Sequence, residues 1–153
     1  MSTQTRLEHE AAHGRVLADG EPERIWGWAS PAGRRRARRR ADLIATAGDL
    51  GPGRRVLEVG CGTGVCTEMW ASSGAEILAV DLAPELIERA CSRQIGGQVR
   101  FAAKPFGECD SEGPFDAIVG SSILHHLEIR PVLRLLHRLL KPGGRMAFAE
   151  PNM

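Results

Sequence analysis

The sequence predicts an α/β fold: three layers, with a doubly wound, mostly parallel sheet between helices. Three observations predict it. From Arg54 onward short apolar runs alternate with amphipathic stretches, the rhythm of repeated strand–helix–strand units. Those runs are apolar on both sides of the alternation, as in strands covered on both faces. The length, 153 residues, supports one hydrophobic core but not two.

Composition narrows the functional classes. Hydrophobic residues make up 42% and charged residues 25%, an ordinary globular balance. The net charge of +1 creates no field favouring nucleic acid or membrane. The four cysteines, Cys61, Cys66, Cys91 and Cys109, form no CxxC pair, which leaves zinc and dithiol chemistry unsupported. The polar start, MSTQTRLEHEAAHG, lacks the apolar stretch of a signal peptide. No apolar run approaches the ~20 residues of a membrane span. A reduced, cytoplasmic setting is expected.

Taken in order, residues 1–30 form a polar, weakly periodic segment, and the folded domain is placed at 31–153. HEAAH, His9 to His13, matches the zinc-protease pattern HExxH. No third ligand stands near it, so a solvated helical turn is preferred and no metal is expected. Next comes a helix capped by Ser30, with Pro31 as its first residue. Ala37, Ala41, Ile44 and Ala47 share one face, and Gly48 with Gly51–Gly53 stops it. Its run Arg34–Arg40 has no interleaved aromatics and reads as a solvated face rather than a nucleic-acid surface. RRVLEVG is the first strand, GVCTEMWASSG a helix ended by Gly74, and AEILAVD the second strand. APELIERACSR is a helix opened by Pro84, QVRF a short third strand and FDAIVGSS the fourth. RPVLRLLHRLLKPGG is a helix with Leu133, Leu136 and Leu140 on one stripe, and RMAFAE is the fifth strand.

In such a sheet, ligands sit at the carboxyl ends of the strands. Gly60, Gly62 and Gly64 occupy the turn after the first strand, where glycine allows close approach to the backbone. A triphosphate loop would need a lysine, and this one has none. The dinucleotide pattern GxGxxG fails by one residue, because Val65 stands where its third glycine belongs. Glu58, just before the loop, would repel a pyrophosphate and suits a cationic group. Asp81 ends the second strand, where a carboxylate can accept from ribose hydroxyls. A nucleoside with a free ribose and a cationic, phosphate-free tail describes S-adenosylmethionine.

On these residues the chain resembles the class I S-adenosylmethionine-dependent methyltransferases, in the branch that includes ubiquinone and menaquinone biosynthesis enzymes. The resemblance runs from about Ile25 to the C-terminus. VLEVGCGTG is similar to the family's first motif, AVDLAPELIERA to its second, FDAIVGSSILHHL to its fourth-strand motif and LKPGGRMAFAEPN to the approach to its fifth strand. It implies a Rossmann-like methyltransferase fold with S-adenosylmethionine as cofactor. Glu58 would orient the glycine loop and help hold the ammonium end. Gly60, Cys61 and Gly62 would line the ligand by backbone, with Gly64 completing the loop. Asp81 would hold the ribose, Leu82 would pack on adenine, and Ser121 and Ser122 would flank the methionine end. Leu82 also reads as core packing, and the serines as a plain strand end.

Two departures from the family pattern stand out. The acid usually found after the third strand is absent: the loop reads AAKPFGECD, with no acid before Glu108. The family sheet has seven strands, whereas this chain ends just past the fifth. It is expected to be a fragment or a short form, whose open sheet edge invites self-association or a partner.

Methyl transfer from a sulfonium needs positioning and water exclusion more than acid or base. Where the acceptor keeps a proton, His125 or His126, just after the fourth strand, is placed to take it, with His125 preferred. One of the pair reads equally as a buried structural ring. Trp26 and Trp28 either fold over the cofactor, where an indole face attracts a sulfonium, or anchor the N-terminal segment. The expected activity is methyl transfer to a small-molecule or lipid acceptor. The competing reading is a cofactor-binding or interaction module without turnover.

Overall fold

A computed structural model describes residues 3–151. Its elements run α1 (Thr3–Ala18), α2 (Pro22–Ile25), α3 (Pro31–Gly48), β1 (Arg55–Val59), α4 (Val65–Ala71), β2 (Glu76–Asp81), α5 (Pro84–Ser92), β3 (Val99–Ala103), β4 (Phe115–Ser121), α6 (Ile129–Leu139) and β5 (Leu140–Ala149). The five strands form one sheet in the order β3-β2-β1-β4-β5, every pair parallel. The winding reverses between β1 and β4, so their carboxyl ends flank a crevice. β5 pairs with β4, and no described strand lies along its other side.

Successive residues of β1 serve opposite faces, as the period of a strand dictates. Val56 packs with Ala41, Ile44, Trp70, Ile77 and Val119 under α3 and α4. Leu57 packs with Leu78, Phe115, Ile118, Leu136 and Leu139 under α6. Trp70 is 2% exposed, and its Nε1 donates to the Ala41 carbonyl at 2.9 Å. That bond ties α4 to α3 across the first layer.

The helix cap and the βαβ elements lie where the sequence predicts, and two helix stripes differ. On α3 the buried positions are Gly33, Ala37, Ala41, Ile44 and Gly48. Ala47 is exposed instead of inward. The stripe steps from Ile44 to Gly48 because the helix meets the sheet there: a Cβ on Gly48 would lie 3.3 Å from Val119 Cγ1. A residue that reads as a stop is also a contact point. On α6, Leu136 and Leu139 are buried while Leu133 is 40% exposed. Leu140 belongs to β5, opposite Phe115. Pro142 drives the preceding residue toward extended backbone, so the helix ends early and the strand begins within the predicted helix.

The described part of the polar N-terminal segment, from Thr3, also packs on the domain. Gly14 of α1 lies so close to α5 that a Cβ would fall 2.4 Å from Ala83 Cβ. Ala18, Ala83 and Leu86 form a small buried cluster beside it. Contact between small residues carries little apolar signal, which is why periodicity misses it. Arg89 of α5 donates to the carbonyls of Ala18 and Gly20 at the end of α1.

Trp70→Phe should cost about 2–4 kcal/mol, through the unpaired Ala41 carbonyl and the volume lost around a buried ring. Denaturant unfolding measures this; a loss below about 0.5 kcal/mol, the range of an ordinary surface change, would contradict the bond's importance.

Candidate active site

The crevice at the switch point holds a cleft of about 480 Å³. Of the residues singled out in the sequence, Gly60, Cys61, Gly62, Asp81, Leu82, Ser121, Ser122 and His125 line it, together with His126, Trp26 and Trp28. Glu58 and Gly64 do not. Glu58 is buried in β1, and Gly64 ends the loop at the start of α4.

The floor is the glycine loop. Gly60, Gly62 and Gly64 all have positive φ, at 70°, 54° and 80°, the region open to glycine at little steric cost. At Gly62 the requirement is doubled, since a Cβ would lie 3.0 Å from the Trp26 ring. At Gly64 a Cβ would lie 3.1 Å from Ala90 Cβ, so this third glycine admits α5 rather than a ligand. The Gly62 amide donates to Asp81 Oδ2 at 2.9 Å, and the Ala83 amide donates to Asp81 Oδ1 at 3.0 Å. Burial raises the Asp81 carboxyl above its ordinary range, against the lowering pull of the Ala83, Gly62 and Leu82 amides.

Glu58 is 2% exposed and accepts from Thr67 Oγ1 at 2.5 Å. Burial pushes its pKa up to about 8, against the lowering effect of the Thr67 bond and with a further push from Asp81. It therefore supports the loop from below as a largely neutral carboxyl at pH 7. Burial also raises the Cys61 thiol well above its ordinary range and the Cys66 thiol to about 12, so neither is a nucleophile near neutral pH.

Two walls come from segments that the sequence reads as solvated, the Arg34–Arg40 face and the HEAAH turn, and the structure turns part of each toward the cleft. Arg36 and Arg40 of α3 face the cleft. Arg40 Nη1 donates to Ser122 Oγ at 2.6 Å and reaches Ser121 Oγ at 3.4 Å. Among the described residues no carboxylate pairs with either arginine. The signal lay in their spacing: four residues apart, they flank the buried stripe through Ala37 and Ala41. From α1 come Glu10, His13, Gly14 and Leu17, so the HEAAH helix forms part of the cleft wall. Among the described residues no three His, Cys, Asp or Glu side chains are grouped to hold a metal. Lys104 and Phe106 line the region after β3 where the family's acid is missing.

The other missed residue is Glu150, just past β5. Its Oε2 lies 2.6 Å from His125 Nδ1, and its Oε1 accepts from the Ile123 and Leu124 amides at 3.0 Å each. Burial pulls the Glu150 carboxyl up, but these hydrogen bonds prevail and hold it below the ordinary range. An ionised Glu150 accepts from Nδ1–H, which leaves Nε2 of His125 as the basic nitrogen. His126 is oriented differently, with Nδ1 3.8 Å from Glu10. Nothing local in the sequence links His125 to a glutamate 25 positions on; β-sheet closure brings them together.

The chain is similar in sequence and fold to known proteins. A family model described as a methyltransferase domain matches residues 57–146. The ubiquinone biosynthesis O-methyltransferase of Xanthomonas oryzae pv. oryzae is 36% identical over 118 residues, 74% of this chain and 49% of that protein. The chain thus spans about half the length of the curated relatives it matches. Among solved structures, the N-methyltransferase NodS of Bradyrhizobium japonicum, in complex with S-adenosylhomocysteine, superposes with a TM-score of 0.70 at 25% identity, over 91% of this chain and 71% of that one. A Thiobacillus denitrificans S-adenosylmethionine-dependent methyltransferase, also with S-adenosylhomocysteine, gives a TM-score of 0.60 at 26% identity, over 71% of this chain and 47% of that one. Among the described residues no helix is long and apolar enough to cross a membrane.

The raised Glu58 carboxyl gives stability a defined pH slope. Its folded pKa of about 8 lies above the ordinary 4.5, so between these values the folded state keeps a proton that the unfolded state releases. Its contribution therefore weakens as pH rises through that window. Glu58→Gln, which still accepts from Thr67, should lose less stability between pH 5.5 and pH 8 than the unaltered protein. Denaturant midpoints at the two pH values measure this; parallel losses would contradict the assignment.

Proposed function

The chain belongs to the class I S-adenosylmethionine-dependent methyltransferases, in the ubiquinone-biosynthesis-like branch, and on that footing we propose that it methylates a hydroxyl of a small-molecule or lipid acceptor. The observation that carries the choice of a hydroxyl is the His125–Glu150 pair at the cleft. A hydroxyl must lose a proton as its oxygen is alkylated, and an imidazole fixed by a carboxylate is a base suited to take it. The named activity of the O-methyltransferase relatives agrees with this reading.

The cleft fits the cofactor by its chemistry. Asp81, already accepting two amides, keeps lone pairs for ribose hydroxyls. Arg40, seated on Ser122 and lacking a carboxylate among the described residues, suits the methionine carboxylate. Leu82 and Phe106 offer apolar surface to adenine. Trp26 and Trp28 form an aromatic wall that favours a sulfonium. Glu58, buried under the loop, acts through the loop's shape. When bound, S-adenosylmethionine supplies a methyl group already activated for in-line displacement. The protein holds the acceptor oxygen in line, excludes water, and receives the acceptor's proton at Nε2 of His125.

With S-adenosylmethionine and a panel of hydroxyl and amine acceptors, His125→Ala should lower kcat on the hydroxyl acceptors about 10²–10⁴-fold, the usual contribution of a positioned base, while cofactor binding persists. Glu150→Gln keeps an acceptor for the Ile123 and Leu124 amides and should fall between the two. Unchanged turnover in His125→Ala, or transfer to amines alone, would contradict the proposal.

A further inference from the structure

Glu23 joins three parts of the chain that the proposed reaction leaves unexplained. Its Oε1 accepts from Thr63 Oγ1 at 2.7 Å and from Arg93 Nη2 at 2.7 Å. Arg93 also donates Nε to the Thr63 carbonyl at 2.5 Å and Nη1 to Glu68 at 2.8 Å. Thr63 is 2% exposed and stands between Gly62 and Gly64. One residue of the glycine loop is thereby held at both its hydroxyl and its carbonyl.

The backbone of Glu23 completes the connection. Its carbonyl accepts from the amides of Trp28 at 2.7 Å and Ala29 at 3.2 Å. The turn carrying Trp26 and Trp28 therefore hangs from the residue whose side chain grips the loop. The same turn rests on α3, where Arg36 donates to the Gly27 carbonyl at 3.0 Å. A Cβ on Gly33 would fall 2.0 Å from that carbonyl oxygen, so nothing larger than glycine lets α3 approach. The tryptophans line one wall of the cleft and the loop lines its floor.

We propose that Glu23, Thr63 and Arg93 form a latch that fastens the Trp26–Trp28 turn to the glycine loop and sets how long the nucleoside cofactor stays bound. The latch rests on the cofactor reading above. Its members are positioning residues, since none of the three lines the cleft. A ligand on the loop leaves when floor and wall part, and separating them breaks the bonds to Glu23. Breaking one bond to a charged partner speeds release by about tenfold.

Release of S-adenosylhomocysteine, followed by stopped-flow tryptophan fluorescence, tests this. Thr63→Val removes the hydroxyl while nearly preserving shape, and Thr63→Ser restores it. The expected result is release about tenfold faster in Thr63→Val and in Glu23→Ala, with Thr63→Ser within about twofold of the unaltered protein. Glu23 is only half-buried, whereas Thr63 is fully buried, so the Glu23 variant reads the latch even where Thr63→Val folds poorly. Variants that lose thermal stability but release ligand at the unaltered rate would overturn the latch and leave the cofactor reading intact. Failure of the unaltered protein to bind S-adenosylhomocysteine would overturn both.

Discussion

Three hydrogen bonds fasten the glycine loop to the end of β2. The Gly60 and Cys61 amides both donate to the Val80 carbonyl, at 2.9 and 3.0 Å, and the Gly62 amide donates to Asp81. The same Asp81 carboxylate receives the Ala83 amide and so sets where α5 begins. α5 in turn carries Arg89, which holds the end of α1, and leads to Arg93, which holds Glu23. Floor and walls are thus referred to the last residues of one buried strand. A site built on rigid elements keeps its groups within the fraction of an ångström that transfer chemistry requires.

Charge in the cleft is arranged around a ligand that carries both signs. Burial raises both the Glu58 and the Asp81 carboxyls, and the Asp81 charge raises Glu58 further. On the α3 side, Arg36 and Arg40 face the cleft without a carboxylate among the described residues. A purely anionic ligand such as a pyrophosphate would suit the arginines but meet the Asp81 carboxyl in the cleft. A ligand with a carboxylate at one end and a cation beside a ribose answers both. The His125–Glu150 pair and the tryptophan wall border the same cleft.

Much of this was legible in the sequence, because the signals were local. Apolar runs broken by Gly and Pro marked the strands and crossovers, and the GxGxG spacing with Glu58 and Asp81 separated a nucleoside cofactor from a dinucleotide. The walls were less legible. Arg36 and Arg40 sit within an arginine run that reads as one solvated face, so composition hid the two that face the cleft and the one that reaches Ser122. Glu150 meets His125 only because β4 and β5 pair in parallel. Gly14 and Ala18 hold α1 to α5 through close contact of small side chains, which leaves no hydrophobic period to read. Glu58 was legible as a residue that orients the glycine loop, while its burial at 2% exposure depends on the sheet around it.

The central claim is that the cleft binds S-adenosylmethionine through the loop anchored on Asp81. Calorimetric titration of the purified protein with S-adenosylmethionine, with NAD and Asp81→Ala as comparisons, tests it most directly. The account predicts one saturable site for S-adenosylmethionine, none for NAD, and a loss of about 1–3 kcal/mol in Asp81→Ala as ribose hydroxyls lose their acceptor. Binding of NAD instead, or S-adenosylmethionine affinity unchanged by Asp81→Ala, would contradict it.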